Sequence, residues 1–104
     1  MLADDVVWHV PGRNPLAGDH RGIEAVMDYF ARRRDLAQAT FRIQVHDLLA
    51  GGDLVVQLAG GTAELGGSVV EWETVGVFRV RDGQLAEGRL VPFDQYMFDR
   101  VWSA

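Results

Sequence analysis

The chain has 104 residues, 48% of them hydrophobic, which suffices for one domain with one core and leaves no room for a second. Its 15 acidic residues outnumber 10 basic ones, all of them arginine, and a net charge of −5 argues against nucleic acid, which needs a clustered basic face. Cysteine is absent, so disulfides, thiolate metal sites and thiol nucleophiles are excluded together.

The first five residues, Met1-Leu2-Ala3-Asp4-Asp5, lack the basic and apolar stretches of a secretory leader. No segment approaches the roughly 20 apolar residues of a membrane span. A cytoplasmic setting is the expectation, with no membrane partner.

Residues 6–10 are β-branched and aromatic, lie between Asp4-Asp5 and Pro11-Gly12, and read as a first strand. Residues 13–20 read as a loop. Gly22 then opens a helix in which Ile23, Val26, Met27 and Phe30 recur at helical spacing, opposite Glu24, Asp28, Arg32 and Asp35. The run Arg32-Arg33-Arg34 falls near the end of this helix, where basic side chains complement the helix dipole, and it reads as a solvated face.

From Thr40 the period changes to two, the signature of strands. Phe41, Ile43 and Val45 alternate with Arg42, Gln44 and His46, and Gly51-Gly52-Asp53 turns the chain into a strand over residues 54–64. Gly66-Gly67 turns it again. In residues 68–81, Val70, Trp72, Thr74, Gly76, Phe78 and Val80 share one face, with Glu71, Glu73 and Arg79 on the other, which describes a half-buried strand.

The next turn has two readings. A two-residue Asp82-Gly83 loop pairs Val80 with Leu85 and sends Glu87 and Arg89 to the apolar face. A three-residue Arg81-Asp82-Gly83 loop pairs Val80 with Gln84 and turns Ala86, Gly88, Leu90, Pro92 and Asp94 inward. The second is preferred, because unpaired charges are costly to bury and a one-residue slip inverts every side chain. Phe98, Val101 and Trp102, spaced by three and four, close the chain with a short amphipathic helix.

Four stretches then sharpen the order of elements. They are Asp5-Val6-Val7-Trp8-His9-Val10-Pro11-Gly12, Gly18-Asp19-His20-Arg21-Gly22, Val77-Phe78-Arg79-Val80-Arg81-Asp82-Gly83 and Asp94-Gln95-Tyr96-Met97-Phe98-Asp99. Together they resemble the SnoaL-like branch of the ketosteroid-isomerase superfamily, across essentially the whole chain. The resemblance implies an α+β fold: a strongly curved, mixed but mostly antiparallel sheet wrapped around helices as a cystatin-like cone. It is specific for fold and weak for function, since one scaffold hosts unrelated chemistries.

The chain departs from the pattern twice. Members of the superfamily begin with a long helix inside the sheet's curve, and here the chain starts where that helix should have ended, so one wall of the cone is expected to be missing. Aligned by motif, the aspartate base of steroid isomerases falls on Val10 and their acid donor on Gly76, which argues against steroid isomerisation.

Asp94 is the candidate acid/base: it follows inward Leu90 and Pro92, and the resemblance places a catalytic carboxyl at a similar position. An apolar cavity rim would raise its pKa toward useful values. Aspartate just before a helix is also a favoured N-cap. His46 lies on the more polar face of its strand and reads first as a surface histidine; strong curvature or a bulge would be needed to pair it with Asp94 as base and orienter.

Trp8, Tyr29, Trp72, Phe78, Leu90 and Tyr96 are the candidate ligand-binding residues, the rings as walls for a flat molecule and the tyrosines as hydroxyl donors. Simple core packing accounts for any one of them alone. Asp99, Arg100 and Arg21 are candidates for ion pairs fastening the terminal helix and the loop. His9, His20 and His46 show no metal-ligand spacing, and no cofactor fingerprint or Ser-His-Asp order is present, so neither metal nor cofactor is expected.

The resulting expectation is a cofactor-independent isomerase, cyclase or hydrolase acting on a small apolar or polyketide-like substrate. The alternative is a non-catalytic hydrophobic-ligand-binding module or an interaction domain. A homodimer is expected from Val75 and Val77, set between Glu73 and Arg79 like the apolar centre and polar rim of an interface.

Overall fold

The computed structural model describes residues 1–37, 40–65 and 67–103. It contains six strands, β1 (Leu2–Val10), β2 (Gly18–Arg21), β3 (Arg42–Gly51), β4 (Leu54–Leu65), β5 (Ser68–Arg81) and β6 (Gln84–Pro92), and two helices, α1 (Ile23–Leu36) and α2 (Gln95–Ser103). All strands join one sheet in the order β2-β1-β6-β5-β4-β3. Only β1 and β6 pair in parallel, the other neighbours being antiparallel, so the sheet is mixed as expected.

Two elements differ from the sequence reading. The first strand begins at Leu2, and the loop assigned to residues 13–20 ends in β2, which pairs Val7 with Arg21 and Val10 with Gly18. β2 reads Gly-Asp-His-Arg, with no apolar alternation to betray it, and is held by its neighbour's backbone. His9 also bridges outward from β1 to Asp19 and to Glu87 of β6, at 2.7 Å each.

Gly22 caps α1 at φ 89°, a left-handed backbone suited to glycine, and no side chain caps that end. The buried face of α1 carries Val26 and Tyr29, while Ile23 and Met27 are exposed. The apolar stripe read from spacing is thus turned aside, because docking against β1 and β2 selects the side that presents the tyrosine.

The β5–β6 turn corrects the preferred reading. Asp82 and Gly83 both have positive φ, 53° and 74°, and Val80 pairs with Leu85, which is a two-residue hairpin of the primed type. Glu87 and Arg89 nevertheless stay off the inner face. Arg79 pairs with Glu87 while Val80 pairs with Leu85, so one extra residue, Ala86, sits in β6 and resets the alternation. Gly88, Leu90 and Pro92 then stand opposite Phe78, Gly76 and Thr74, on the inner face.

A second bulge falls at His46 in β3, between the pairs Val45–Ala59 and Asp47–Leu58. The Gly66-Gly67 turn falls partly on Gly66, which lies outside the described residues; Gly67 has φ 81°. α2 forms where spacing placed it and buries Phe98, Val101 and Trp102 against the sheet. No helix among the described residues is long and apolar enough to cross a membrane.

Candidate functional site

The inner face of the sheet, α1 and α2 enclose a cavity of about 230 Å³. Strand alternation decides what enters it: Gln57, Ala59 and Gly61 from β4, Trp72, Thr74, Gly76 and Phe78 from β5, and Leu90 from β6. β1 contributes Trp8, α1 contributes Tyr29, Phe30 and Arg33, Phe41 enters from just before β3 and Ile43 from β3 itself, and α2 contributes Phe98 and Trp102.

Glycine lets large rings lie across the sheet. Gly61 stands opposite Trp72 and Gly88 opposite Trp8, while Gly76 is two residues from Phe78 on the same face. A Cβ added at Gly88 would meet the Trp8 ring at 2.6 Å, one at Gly76 would meet Phe78 at 2.7 Å, and one at Gly61 would run into Trp72. The rings then pack on each other, Trp8 against Phe30 and Phe78 at 5.2 and 5.6 Å, Trp72 against Trp102 at 5.5 Å. The inward glycine pattern was the signal for this floor.

Apart from Gln57 and Thr74 on β4 and β5, the polar side chains of the wall lie on α1 and β1. Tyr29 is only 1% exposed, and burial pushes its hydroxyl pKa up, opposed by the nearby charge of Arg33. His20 stacks on the Tyr29 ring at 4.8 Å and reaches the Leu16 carbonyl at 2.8 Å through its Nε2, which fixes the ring's position. The Trp8 Nε1 is buried with no hydrogen-bond partner among the described residues.

The arginine run divides rather than forming one solvated face. Arg32 pairs with Asp28 at 3.3 Å and Arg34 with Asp35 at 3.8 Å, but Arg33 turns toward the cavity. Its guanidinium lies 4.4 Å from the Phe41 ring centre and 5.1 and 5.5 Å from those of Phe30 and Tyr29. Sequence reading missed it, although its spacing of four from Tyr29 and three from Phe30 puts all three on adjoining helix positions.

Of the candidate ligand-binding residues, Trp8, Tyr29, Trp72, Phe78 and Leu90 come together on the cavity wall. Tyr96 does not: it is 73% exposed on α2, with the Arg100 guanidinium 5.8 Å from its ring, because the buried face of α2 is already taken by Phe98, Val101 and Trp102.

Asp94 is likewise exposed and outside the cavity lining, contrary to the inward parity assigned to it. The strand ends at Pro92, before the alternation reaches Asp94, and its carboxylate accepts the Met97 backbone N–H at 3.1 Å as the cap of α2. His46 is exposed and reaches across Gly60 to Glu73 at 3.1 Å, on the outer face that its alternation indicated. Its bulge does not bring it to Asp94.

Asp99, expected in an ion pair, instead accepts three hydrogen bonds, from the Arg13 backbone at 3.0 Å, Asn14 at 2.8 Å and Gln95 at 3.0 Å. They lower its carboxyl pKa, the Asn14 bond most, and fasten α2 to the loop after β1. Arg21 does form an ion pair, with Asp19 at 3.6 Å, but within β2 and not with α2, while Arg100 lies over the Tyr96 ring instead of a carboxylate. Val10 is buried in the core and Gly76 lies under Phe78, so neither position aligned with a steroid-isomerase carboxyl holds a polar group.

The sequence profile of the SnoaL-like domain family matches residues 1–88. The chain belongs to this family. Solved structures share its fold. Bal32a, from a soil-derived mobile gene cassette, is 32% identical, with a TM-score of 0.92 over 97% of this chain and 78% of its own. A protein of unknown function with a cystatin-like fold from Xanthomonas campestris is 30% identical, with a TM-score of 0.91 over 99% of this chain and 81% of its own. A proposed SnoaL-like polyketide cyclase from Jannaschia sp. CCS1 shares the fold at 21% identity and a TM-score of 0.76, covering 99% of this chain and 74% of its own. Among curated proteins none matches the chain.

Proposed function

We propose that this SnoaL-like protein encloses a small, flat, largely apolar molecule between the glycine-backed rings of the sheet and the inner sides of α1 and α2. The observation that carries this reading is the cavity of about 230 Å³ with aromatic side chains from β1, α1, β5 and α2 on its wall. Planar rings favour a planar guest, since stacked and edge-on contacts both fall within reach of a ring held among them.

Binding without catalysis is favoured over acid/base turnover. The polyketide-cyclase neighbour lends support to an isomerase, cyclase or hydrolase, but no carboxylate or histidine is among the described residues lining the cavity. Asp94 would carry that second reading by leaving its cap when substrate enters, whereas His46, held against Glu73 on the outer face, takes no part in it.

Titration with neutral 2-naphthamide, followed by tryptophan fluorescence and calorimetry, tests the container. One molecule should bind per cavity, and Ala59→Phe, which fills the space from a buried inward position, should abolish binding while leaving the circular dichroism spectrum intact. Unchanged binding in Ala59→Phe would place the guest elsewhere. Asp94→Asn should leave binding unaltered, and loss of turnover of any substrate found would restore the catalytic reading.

A further inference from the structure

Three hydrogen-bonding side chains, Trp8, Tyr29 and Arg33, meet at one end of the cavity, and one buried donor among them, the Trp8 Nε1–H, lacks a well-formed acceptor. The Trp8 indole is 7% exposed and its Nε1–H meets no partner among the described residues. A buried N–H left unpaired costs on the order of 1–3 kcal/mol, so an unused donor on a ligand-sized space marks where an acceptor belongs. The six-membered edge of that indole lies against Gly88, so the opposite edge, which carries Nε1, points away from β6.

Tyr29 and Arg33 are the other two. The Tyr29 hydroxyl is buried and interacts with both the Arg33 guanidinium and the Trp8 indole, and all three side chains line the same cavity, so the cluster has donors left over for an incoming acceptor. Arg33 is held among Phe30, Tyr29 and Phe41, and no carboxylate pairs with it among the described residues, whereas its neighbours Arg32 and Arg34 each have one. A guanidinium faced with aromatic rings is weakly hydrated and keeps its fork of donors for a planar anion.

We infer that the α1 end of the cavity is an anion-binding subsite, in which Trp8, Tyr29 and Arg33 take the carboxylate or enolate oxygens of a flat conjugated acid whose rings rest on Trp72 and Phe78. The ligand class is therefore an aromatic or polyenolic acid rather than a neutral hydrocarbon. The inference rests on the proposed container and specifies its guest. Gln57 and Thr74, the neutral polar groups of the β4–β5 wall, carry no charge and add no competing anion site.

Calorimetric titration of the full chain with 2-naphthoate and with 2-naphthamide separates the two proposals, because the pair shares ring and shape and differs in charge. The naphthoate should bind at least about tenfold more tightly, as a charge-assisted contact on a largely apolar wall demands. Arg33→Met keeps the apolar stem and should erase that preference while changing naphthamide affinity by less than about threefold. Arg34→Met, which removes an equal charge one residue away, should keep the preference.

Trp8→Phe retains a ring over Gly88 and removes only the N–H, so it should weaken naphthoate several-fold more than naphthamide even if Arg33→Met does not fold. Equal affinity for both compounds in the natural chain, or a preference that survives both Arg33→Met and Trp8→Phe, overturns the anion subsite and leaves the container standing. Binding of neither compound overturns both.

Discussion

The cavity end of the molecule and its β3 edge are built from the same two-residue alternation, yet only one is covered. Around the cavity, Trp72 and Trp102 are buried against each other, β4 buries the alternate residues Ala59, Gly61 and Ala63, and β5 buries Trp72 and Gly76 on one face. In β3 all ten residues are exposed, including Leu48 at 57% and Leu49 at 56%. Alternation therefore establishes which residues share a face; it does not supply the second layer that buries that face.

The largest test of this contrast is Trp72→Ala. It removes a ring that touches Phe41 and Trp102 and should cost about 3–5 kcal/mol in denaturant unfolding. A cost below about 1 kcal/mol would mean that the cavity end is as loosely specified as the edge strand.

Asp99→Ala should come next, because one carboxylate holds three donors from α2 and the loop after β1. Its pKa is lowered from 3.8 in the folded chain, so the unfolded chain takes up the proton first. The stabilisation is complete above that ordinary value and declines as pH falls through the lowered one. Thermal unfolding near pH 7 and at about pH 2.5 should show the gap between the natural chain and the variant narrowing in acid. A gap of constant width would assign the effect to packing.

Asp94→Ala loses a single capping bond and should cost about 1 kcal/mol, read from the same thermal unfolding. Leu49→Ser should alter the stability of a dilute monomer least, by less than about 0.5 kcal/mol. Its effect belongs to association: we propose that a second copy covers the exposed apolar residues of the sheet, with Val91 and the half-buried Val75 and Val77 on its outer face. Sedimentation equilibrium at micromolar concentration should then show a dimer that Leu49→Ser weakens. A monomer in both cases would leave the β3 edge uncovered in solution.

The fold was legible because it depends on local patterns that the chain repeats. Val70 through Val80 announce β5, Phe98, Val101 and Trp102 announce α2, and the inward set Gly88, Leu90 and Pro92 was read correctly despite a wrong turn. The bulge at Ala86 produced the same alternation that a longer turn would have done. Of the six residues proposed for ligand contact, five line the cavity: Trp8, Trp72, Phe78 and Leu90 are inward strand positions legible from alternation, and Tyr29 is brought in by the docking of α1.

Tertiary structure decided the rest. Which side of α1 faces inward follows from how the helix docks on β1 and β2, so Arg33 left the solvated run and Met27 entered solvent. Where β6 ends determines that Asp94 caps a helix instead of continuing an inward row, and Tyr96 turns outward with the helix that follows. The sequence by itself determined the strand faces, the glycines that admit large rings and the α+β layering. Which polar groups converge on the cavity depended on contacts between residues distant in the chain, and periodicity carries no information about those.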